Sequence, residues 1–168
     1  MLVLGIDPGV AITGYGLLEG SSEEARLVAS GVITTDSTFS LSQRLLMLHN
    51  ELAQLVALYQ PQVAAAEELF FARNARTALM VGHGRGAALL TLAEAGLVVY
   101  EYTPMQVKQA VVGYGRAAKG QVQEMLRLLL HLDAVLEPDD AADAVAVALC
   151  HLHSARLNDL LAGSKDAG

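Results

Sequence analysis

Acidic side chains end two of the apolar segments of this chain, where a solvent-facing carboxylate is not expected. Asp7 follows the apolar run LVLGI, and the pair Glu67 and Glu68 follows the run VAAA. In α/β proteins, functional groups gather beyond the carboxyl ends of strands. If the two runs are adjacent parallel strands, Asp7 and one of the glutamates point into the same crevice. Because side chains alternate between the two faces of a strand, only one of Glu67 and Glu68 faces that crevice.

Two further acids lie in a later segment, whose pattern predicts a helix. Asp143 has almost no polar neighbours in the stretch AADAVAVALC, and an unpaired acid on an apolar helix face is costly. Asp140 precedes it by three residues and Asp139 by four, so that either can share a helix face with Asp143. The spacing does not choose between Asp139 and Asp140. If this helix lies across the two strand ends, its acidic face closes the crevice.

Carboxylates gathered in this way favour metal-dependent phosphoryl transfer. They repel one another, and each close pair raises the pKa of one partner unless a cation is present. Oxygen ligands favour Mg²⁺ or Mn²⁺, and two such ions can lower the pKa of an attacking water and stabilise a leaving oxygen. Each acid also has an ordinary structural explanation. Asp7 could be a turn residue in Asp-Pro-Gly, the glutamates could be surface acids, and Asp139 or Asp140 could cap the helix.

The predicted secondary structure supplies a scaffold for these acids. The predicted strands cover 2–6, 13–18, 27–34, 63–67 and 97–102. The predicted helices cover 41–59, 75–95, 104–112, 121–131 and about 139–161. Three consecutive strands, followed by alternating helices and strands, predict an α/β fold with a mixed sheet. We expect antiparallel strands on one side, parallel strands on the other and helices on both faces, which is a ribonuclease H-like arrangement.

Length and composition limit the class of protein. The chain has 168 residues, of which 53% are hydrophobic and 17% charged, so it is too apolar to be disordered. We predict a single domain over 1–162 and a flexible C-terminal tail at 163–168. One cysteine, the lack of a long apolar stretch and the lack of a signal-peptide pattern together predict a cytoplasmic location.

The distribution of charge leaves room for a polyanionic partner. The net charge is −7, yet residues 73–127 carry seven basic and three acidic side chains. A basic middle on an acidic body can bind nucleic acid. Ordinary solvated charge would explain the same count.

Four stretches of the sequence together form a specific pattern. They are GIDPGVAITGYG at 5–16, AAEELFFARNARTALMVGHGRG at 65–86, YTPMQVKQAVVGYGRAAKGQVQ at 102–123 and DDAADAVAVALCH at 139–151. In this order they resemble the RuvC family of Holliday junction resolvases, and the resemblance extends to about residue 155. It implies a homodimeric, Mg²⁺-dependent crossover junction endodeoxyribonuclease. Such enzymes make paired symmetric nicks in four-way DNA junctions during DNA recombination and repair, and they leave 5′-phosphate ends.

The resemblance also implies which of the acids act. It selects one member of each pair left open above, and the implied catalytic and metal-binding set is Asp7, Glu67, Asp140 and Asp143. Two Mg²⁺ ions per active site are implied, and we expect Mn²⁺ to substitute for them.

DNA-binding residues and partners are implied in the same way. The basic residues that lie near the bound strand in the family fall on Lys108 and Lys119, and its aromatic residue at the junction centre falls on Phe70. We further expect three arginines to contact DNA: Arg73, Arg76 and Arg116. A homodimer would match the two-fold symmetry of a junction. The RuvA–RuvB branch-migration complex is an expected partner.

Three other functions compete with this reading. A ribonuclease H-like nuclease acting on RNA would be a shorter chain without the 65–86 pattern. An ATPase of the actin-like fold also begins with an Asp-x-Gly turn, but it usually needs two such domains. A DNA-binding module that has lost catalysis predicts changes among the four acids, and none is visible.

Overall fold

The computed structural model of the chain describes residues 1–21, 23–68 and 75–163, with side chains on the last helix described as far as Ala155. Within these residues the strands are β1 (Leu2–Asp7), β2 (Ile12–Gly20), β3 (Ala25–Thr34), β4 (Val63–Glu67) and β5 (Val99–Tyr102). They form one sheet in the order β3-β2-β1-β4-β5. The first three strands pair antiparallel, whereas β4 pairs parallel with β1 and β5 parallel with β4. The predicted mixed sheet is confirmed.

The helices of the described chain also follow the prediction, with shifts of one or two residues at several ends. They are α1 (Leu41–Tyr59), α2 (Ala75–Glu94), α3 (Pro104–Val112), α4 (Lys119–Leu129) and α5 (Asp139–Gly163). The largest shift at a helix start concerns α4, which begins at Lys119 rather than at 121. Gly120 looks like a helix breaker in the sequence, but the Gln121 side chain accepts a hydrogen bond from the Ala118 amide at 2.8 Å and so supports an earlier start.

Several predicted boundaries are corrected by the structure. Strands β2 and β3 extend beyond the predicted 13–18 and 27–34, to Ile12–Gly20 and Ala25–Thr34. Strand β5 begins at Val99 rather than at 97, because Leu97 donates to the carbonyl of Leu92 and still belongs to the turn after α2. Helix α5 continues to Gly163, the first residue of the predicted tail. Residues 164–168 lie outside the described residues, so the tail and the single-domain organisation stay predictions.

The core has two layers, one on each face of the sheet. One face packs against α1 and α2 through residues such as Leu4, Leu52 and Leu92, all fully buried. The other face packs against α3, α4 and α5, and Cys150 is buried there. No helix in the described part of the chain has the length and apolar character of a membrane span. The cytoplasmic location stays a prediction.

Helix α5 lies directly on the backbone of the first two strands. A Cβ atom on Gly14 would stand 1.9 Å from the carbonyl oxygen of Asp140, so only glycine permits this approach. In the antiparallel ladder, Gly14 is the partner of Asp7. The first turn of α5 is therefore held beside the residue that pairs with the carboxyl end of β1.

Candidate active site

The carboxyl ends of β1 and β4 lie side by side, and each carries one of the predicted acids. Strand β1 ends at Asp7 and β4 at Glu67, and the parallel ladder between them runs to Ile6 and Ala66. Asp7 and Glu67 are both half-buried, whereas Glu68 is exposed. The structure thus directs Glu67, rather than Glu68, towards the crevice.

Negative charges on α5 act on the carboxyl groups at the two strand ends. The pKa of Asp7 is raised to about 6, first by burial and then by the negative charges of Asp143 and Asp140. The pKa of Glu67 is raised to about 7, first by burial and then by the charges of Asp7 and Asp143. Elements far apart in the sequence therefore bring the four predicted acids together. Groups with such shifted pKa values are typical of functional sites.

Asp139 is drawn into a different set of contacts. Its carboxylate lies 3.1 Å from Nζ of Lys119 and accepts a hydrogen bond of 2.7 Å from the side chain of Gln123. These hydrogen bonds lower the pKa of Asp139. The negative charge of Asp140 instead contributes to the raised pKa of Asp7. Asp139 is thus exposed, whereas Asp140 is half-buried and its charge acts at Asp7.

Two lysines and two of the acids, Glu67 and Asp143, line a common cavity of about 240 Å³. Lys119, the first residue of α4, donates a hydrogen bond of 3.0 Å to Asp143, and Lys108 projects from α3. The cavity is lined by Glu67, Asp143, Lys108, Lys119, Pro104, Val107, Val122 and Ala146. Both lysines oppose the rise in the pKa of Glu67, so their positive charges act on this carboxyl group.

The donor set fits a hard divalent cation. All four acids offer oxygen ligands, which suit Mg²⁺ and Mn²⁺. Asp7 and Glu67 have raised pKa values because burial and neighbouring carboxylates disfavour their charged forms, and a cation would relieve both effects. In this conformation, no three Asp, Glu, His or Cys side chains of the described chain are gathered closely enough to hold an ion. The acids therefore converge without forming a closed coordination shell.

Two of the remaining predicted DNA-binding residues, Arg76 and Arg116, do not line this cavity. Arg76 is exposed in the first turn of α2, and Arg116 is exposed between α3 and α4. Phe70 and Arg73 lie outside the described residues.

One functional candidate was not singled out from the sequence. Arg85 belongs to the basic segment, yet only 8% of its surface is exposed, and it donates a hydrogen bond of 2.5 Å to the backbone carbonyl of Glu67. Its guanidinium also forms an ion pair with Glu101 on β5. An arginine in the middle of the apolar helix α2 was the available signal, because a charge on a buried helix face needs partners.

Known proteins share both the sequence pattern and the fold. The family model described as "Crossover junction endodeoxyribonuclease RuvC" matches residues 3–151. A crossover junction endodeoxyribonuclease RuvC of a Roseiflexus species is 57% identical over 90% of this chain and 90% of its own. The structure of T. thermophilus RuvC in complex with a Holliday junction substrate superposes with a TM-score of 0.90 at 39% identity, covering 94% of this chain and 96% of that chain.

A more distant structure supports the architecture alone. The yeast mitochondrial Holliday junction resolvase Ydc2 has a TM-score of 0.69 at 15% identity, over 99% of this chain and 86% of that chain. The ribonuclease H-like arrangement expected from the element order is confirmed by these neighbours. The family model matches most of the length of this chain, and relatives are identical to it at half or more of the aligned residues. This chain therefore belongs to the RuvC family of crossover junction endodeoxyribonucleases.

Proposed function

We propose that this chain resolves four-way DNA junctions by making paired symmetric nicks, as a metal-dependent endonuclease of recombination and repair. The observation that carries the proposal is the meeting of four acids and two lysines at one end of the sheet, in a chain of the RuvC family. The T. thermophilus relative, which was solved with a Holliday junction, supports the choice of substrate.

Asp7, Glu67, Asp140 and Asp143 would hold the metal, which we propose to be two Mg²⁺ ions per site, with Mn²⁺ able to replace them. When bound, such ions supply an activated water and stabilise the leaving oxygen of an in-line displacement at phosphorus. Hydrolysis at the 3′ oxygen would leave a 5′-phosphate and a nick that a ligase can seal.

Metal binding at these acids is linked to the release of protons. With pKa values raised to about 6 and about 7, Asp7 and Glu67 retain part of their protons near neutral pH in the absence of metal. Ligands must be deprotonated to bind a cation, so loading the site releases these protons.

The two lysines would hold the backbone of the strand that is cut. Lys119 has a side chain that is 51% exposed, so a phosphate can reach its ammonium group. Lys108 lines the same cavity. Cations placed here would offset the negative charge that develops at the reacting phosphate. We propose the outer contacts with the junction for Phe70, Arg73, Arg76 and Arg116.

A homodimer would place two such sites on one junction, and α2 offers a surface for a second copy. Leu79 and Leu90 are 63% and 59% exposed. Gly82 and Gly86 lie between them on the same helix face, with no atom within 4 Å of a Cβ built on either glycine. This spacing allows close approach of a second helix. The RuvA–RuvB complex remains a proposed partner that supplies junctions to the dimer.

The proposal is tested by a cleavage assay on a synthetic mobile four-way junction, beside a linear duplex of the same sequence. The assay is run with Mg²⁺, with Mn²⁺ and with EDTA, and Asp7→Asn serves as the inactive variant. We expect paired nicks on the junction alone, dependent on metal. We also expect a loss of several orders of magnitude in Asp7→Asn, with junction binding retained.

Other outcomes would point to the competing functions. Equal cutting of junction and duplex would indicate a general nuclease, and preferential cutting of RNA would favour the ribonuclease alternative. Tight junction binding without cutting, over several junction sequences, would contradict the nuclease proposal and leave a binding module. Near-wild-type cutting by Asp7→Asn would remove Asp7 from the metal site.

A further inference from the structure

Arg85 is a buried cation that contacts the end of β4, where Glu67 lies. It is the only buried lysine or arginine among the residues with described side chains. Its Nη1 donates to the backbone oxygen of Glu67 at 2.5 Å, and its Nη2 pairs with the carboxylate of Glu101. The guanidinium thus links α2 to the ends of β4 and β5.

The backbone of β4 shows why the Glu67 carbonyl needs a donor from outside the sheet. The amides of Ala64 and Glu68 donate to the carbonyls of Val98 and Tyr102, on the β5 side. In a parallel strand, backbone groups of successive residues point to opposite neighbours. The backbone groups of Glu67 therefore point towards β1.

On the β1 side, the expected donor is missing. The ladder runs to the pair Ile6 and Ala66. Continued by one residue, the register pairs Glu67 with Asp7, and the carbonyl of Glu67 would accept from the amide of residue 8. Residue 8 is proline, which has no N–H. The ladder ends where Pro8 removes the donor.

We propose that Arg85 is a positioning residue for Glu67, because it supplies the hydrogen bond that Pro8 cannot. This inference rests on the proposed function in treating Glu67 as a metal ligand. A carbonyl left unpaired at this depth is costly, and a strand end without its last hydrogen bond is free to shift. Arg85 fixes the strand end at the residue whose side chain enters the crevice.

Two further contacts make this arrangement possible. A Cβ atom on Gly84 would stand 2.7 Å from the carbonyl carbon of Gly9, so glycine lets α2 approach the turn that follows β1. Burial lowers the pKa of the Arg85 guanidinium, and the nearby charge of Glu68 opposes this shift. The ion pair with Glu101 also stabilises the charged form. Arg85 can therefore remain charged while buried beside β4.

The test compares Arg85→Gln with the wild-type protein, as full chains. Mn²⁺ binding is measured by calorimetry without DNA, and junction cleavage is measured over a range of Mn²⁺ concentrations. Loss of a residue that orients a metal ligand typically weakens metal binding about 10–100-fold. We expect a loss in this range, cleavage that recovers in part at high Mn²⁺, and junction binding in EDTA that changes by less than about twofold, because no DNA contact is assigned to Arg85.

The matched control is Arg127→Gln. Arg127 also pairs with a glutamate, Glu124, and also donates to a backbone carbonyl, that of Leu132, but at the end of α4. Its loss should leave Mn²⁺ affinity unchanged. Circular dichroism and thermal unfolding check that each variant is folded. If Arg85→Gln does not fold, Arg85→Lys is used, which keeps the charge and one donor and should lose Mn²⁺ affinity to a smaller extent.

A rescue experiment tests the specific cause. Pro8→Ala restores an amide at residue 8, so the double variant Pro8→Ala with Arg85→Gln should regain part of the lost Mn²⁺ affinity. If the single and double variants bind Mn²⁺ with equal affinity, the claim that Arg85 replaces the missing backbone donor at residue 8 is overturned. Wild-type Mn²⁺ affinity in a folded Arg85→Gln or Arg85→Lys protein would overturn the positioning role altogether.

The two proposals fail in different ways. If the wild-type protein binds Mn²⁺ but cuts no junction, the proposed function fails while the calorimetry still decides the role of Arg85. If the wild-type protein binds no Mn²⁺, both proposals are overturned.

Discussion

At the scale of single residues, the crevice is a place where folding and the proposed chemistry oppose each other. Asp7 has a pKa raised to about 6 because burial and the charges of Asp143 and Asp140 disfavour its ionised form. A carboxyl whose folded pKa exceeds its unfolded value makes the folded state less stable as the pH rises through that interval. In the absence of metal, this cost grows from about pH 4 and is fully present above about pH 6.

Asp7→Asn should therefore stabilise the metal-free protein at alkaline pH. At pH 8 in EDTA we expect the free energy of unfolding to increase by about 1–3 kcal/mol, since one pKa unit corresponds to about 1.4 kcal/mol. Near pH 4 the difference should vanish. Urea unfolding at the two pH values measures it. Burial lowers the pKa of His151 and makes folding less favourable in acid, but it does so equally in both proteins and cancels in the comparison.

Asp36 provides a control of opposite sign. It accepts a hydrogen bond of 2.8 Å from the Thr38 amide, and this contact lowers the pKa of its carboxyl. Asp36→Asn should not stabilise the protein at pH 8. A loss of stability in Asp7→Asn at that pH would contradict the electrostatic strain at the crevice.

At the scale of elements, the position of α5 on the sheet decides where Asp140 stands. The approach depends on Gly14, whose missing side chain leaves room for the carbonyl of Asp140. The same strand position pairs with Asp7. Packing of the helix and geometry of the crevice both depend on this glycine, and Gly5 and Gly16 leave room for α5 in the same way.

Gly14→Ala should damage both stability and cleavage. The added methyl group overlaps the backbone of α5, and such overpacking typically costs about 1–3 kcal/mol. Because Asp140 must move, we expect cleavage of the four-way junction to fall by more than the folded fraction does. Thermal unfolding and the cleavage assay measure the two effects. Gly120→Ala is the control, because no atom lies within 4 Å of its Cβ position and alanine favours the helix α4. Wild-type cleavage by a folded Gly14→Ala protein would contradict the proposed dependence of Asp140 on the packing of α5.

At the scale of the whole molecule, the proposed dimer joins the two active sites through α2. The exposed face of Leu79, Gly82, Gly86 and Leu90 lies on the helix that also carries Arg85, which is turned to the opposite, buried side. We expect the double variant Leu79→Glu with Leu90→Glu to be monomeric, since opposed like charges would meet at the interface. Analytical ultracentrifugation measures the change.

The dimer prediction also has a functional consequence. A monomeric variant should nick single strands of the junction and lose the coordinated pair of nicks. Leu58→Glu, at an exposed leucine of α1, is the control and should leave the dimer intact. If the α2 variant sediments as the wild-type protein does, the interface lies elsewhere.

The sequence by itself determined the secondary structure, the mixed sheet and the family. Periodic apolar residues and turn signals such as Asp-Pro-Gly are local, so they can be read along the chain. The residues of the four matching stretches also implied the acidic set, which the structure brings together at one end of the sheet. The roles of these acids stay predictions until the cleavage assay is done.

Only the tertiary structure decided which contacts each acid makes. Spacing could not separate Asp139 from Asp140, because both lie on the acidic face of α5. In the structure Asp139 is exposed, whereas Asp140 is half-buried and its charge acts at Asp7. The role of Arg85 depends on the register between β1 and β4, which places Pro8 opposite the carbonyl of Glu67. Register and helix placement arise from packing between distant segments, so no local pattern contains them.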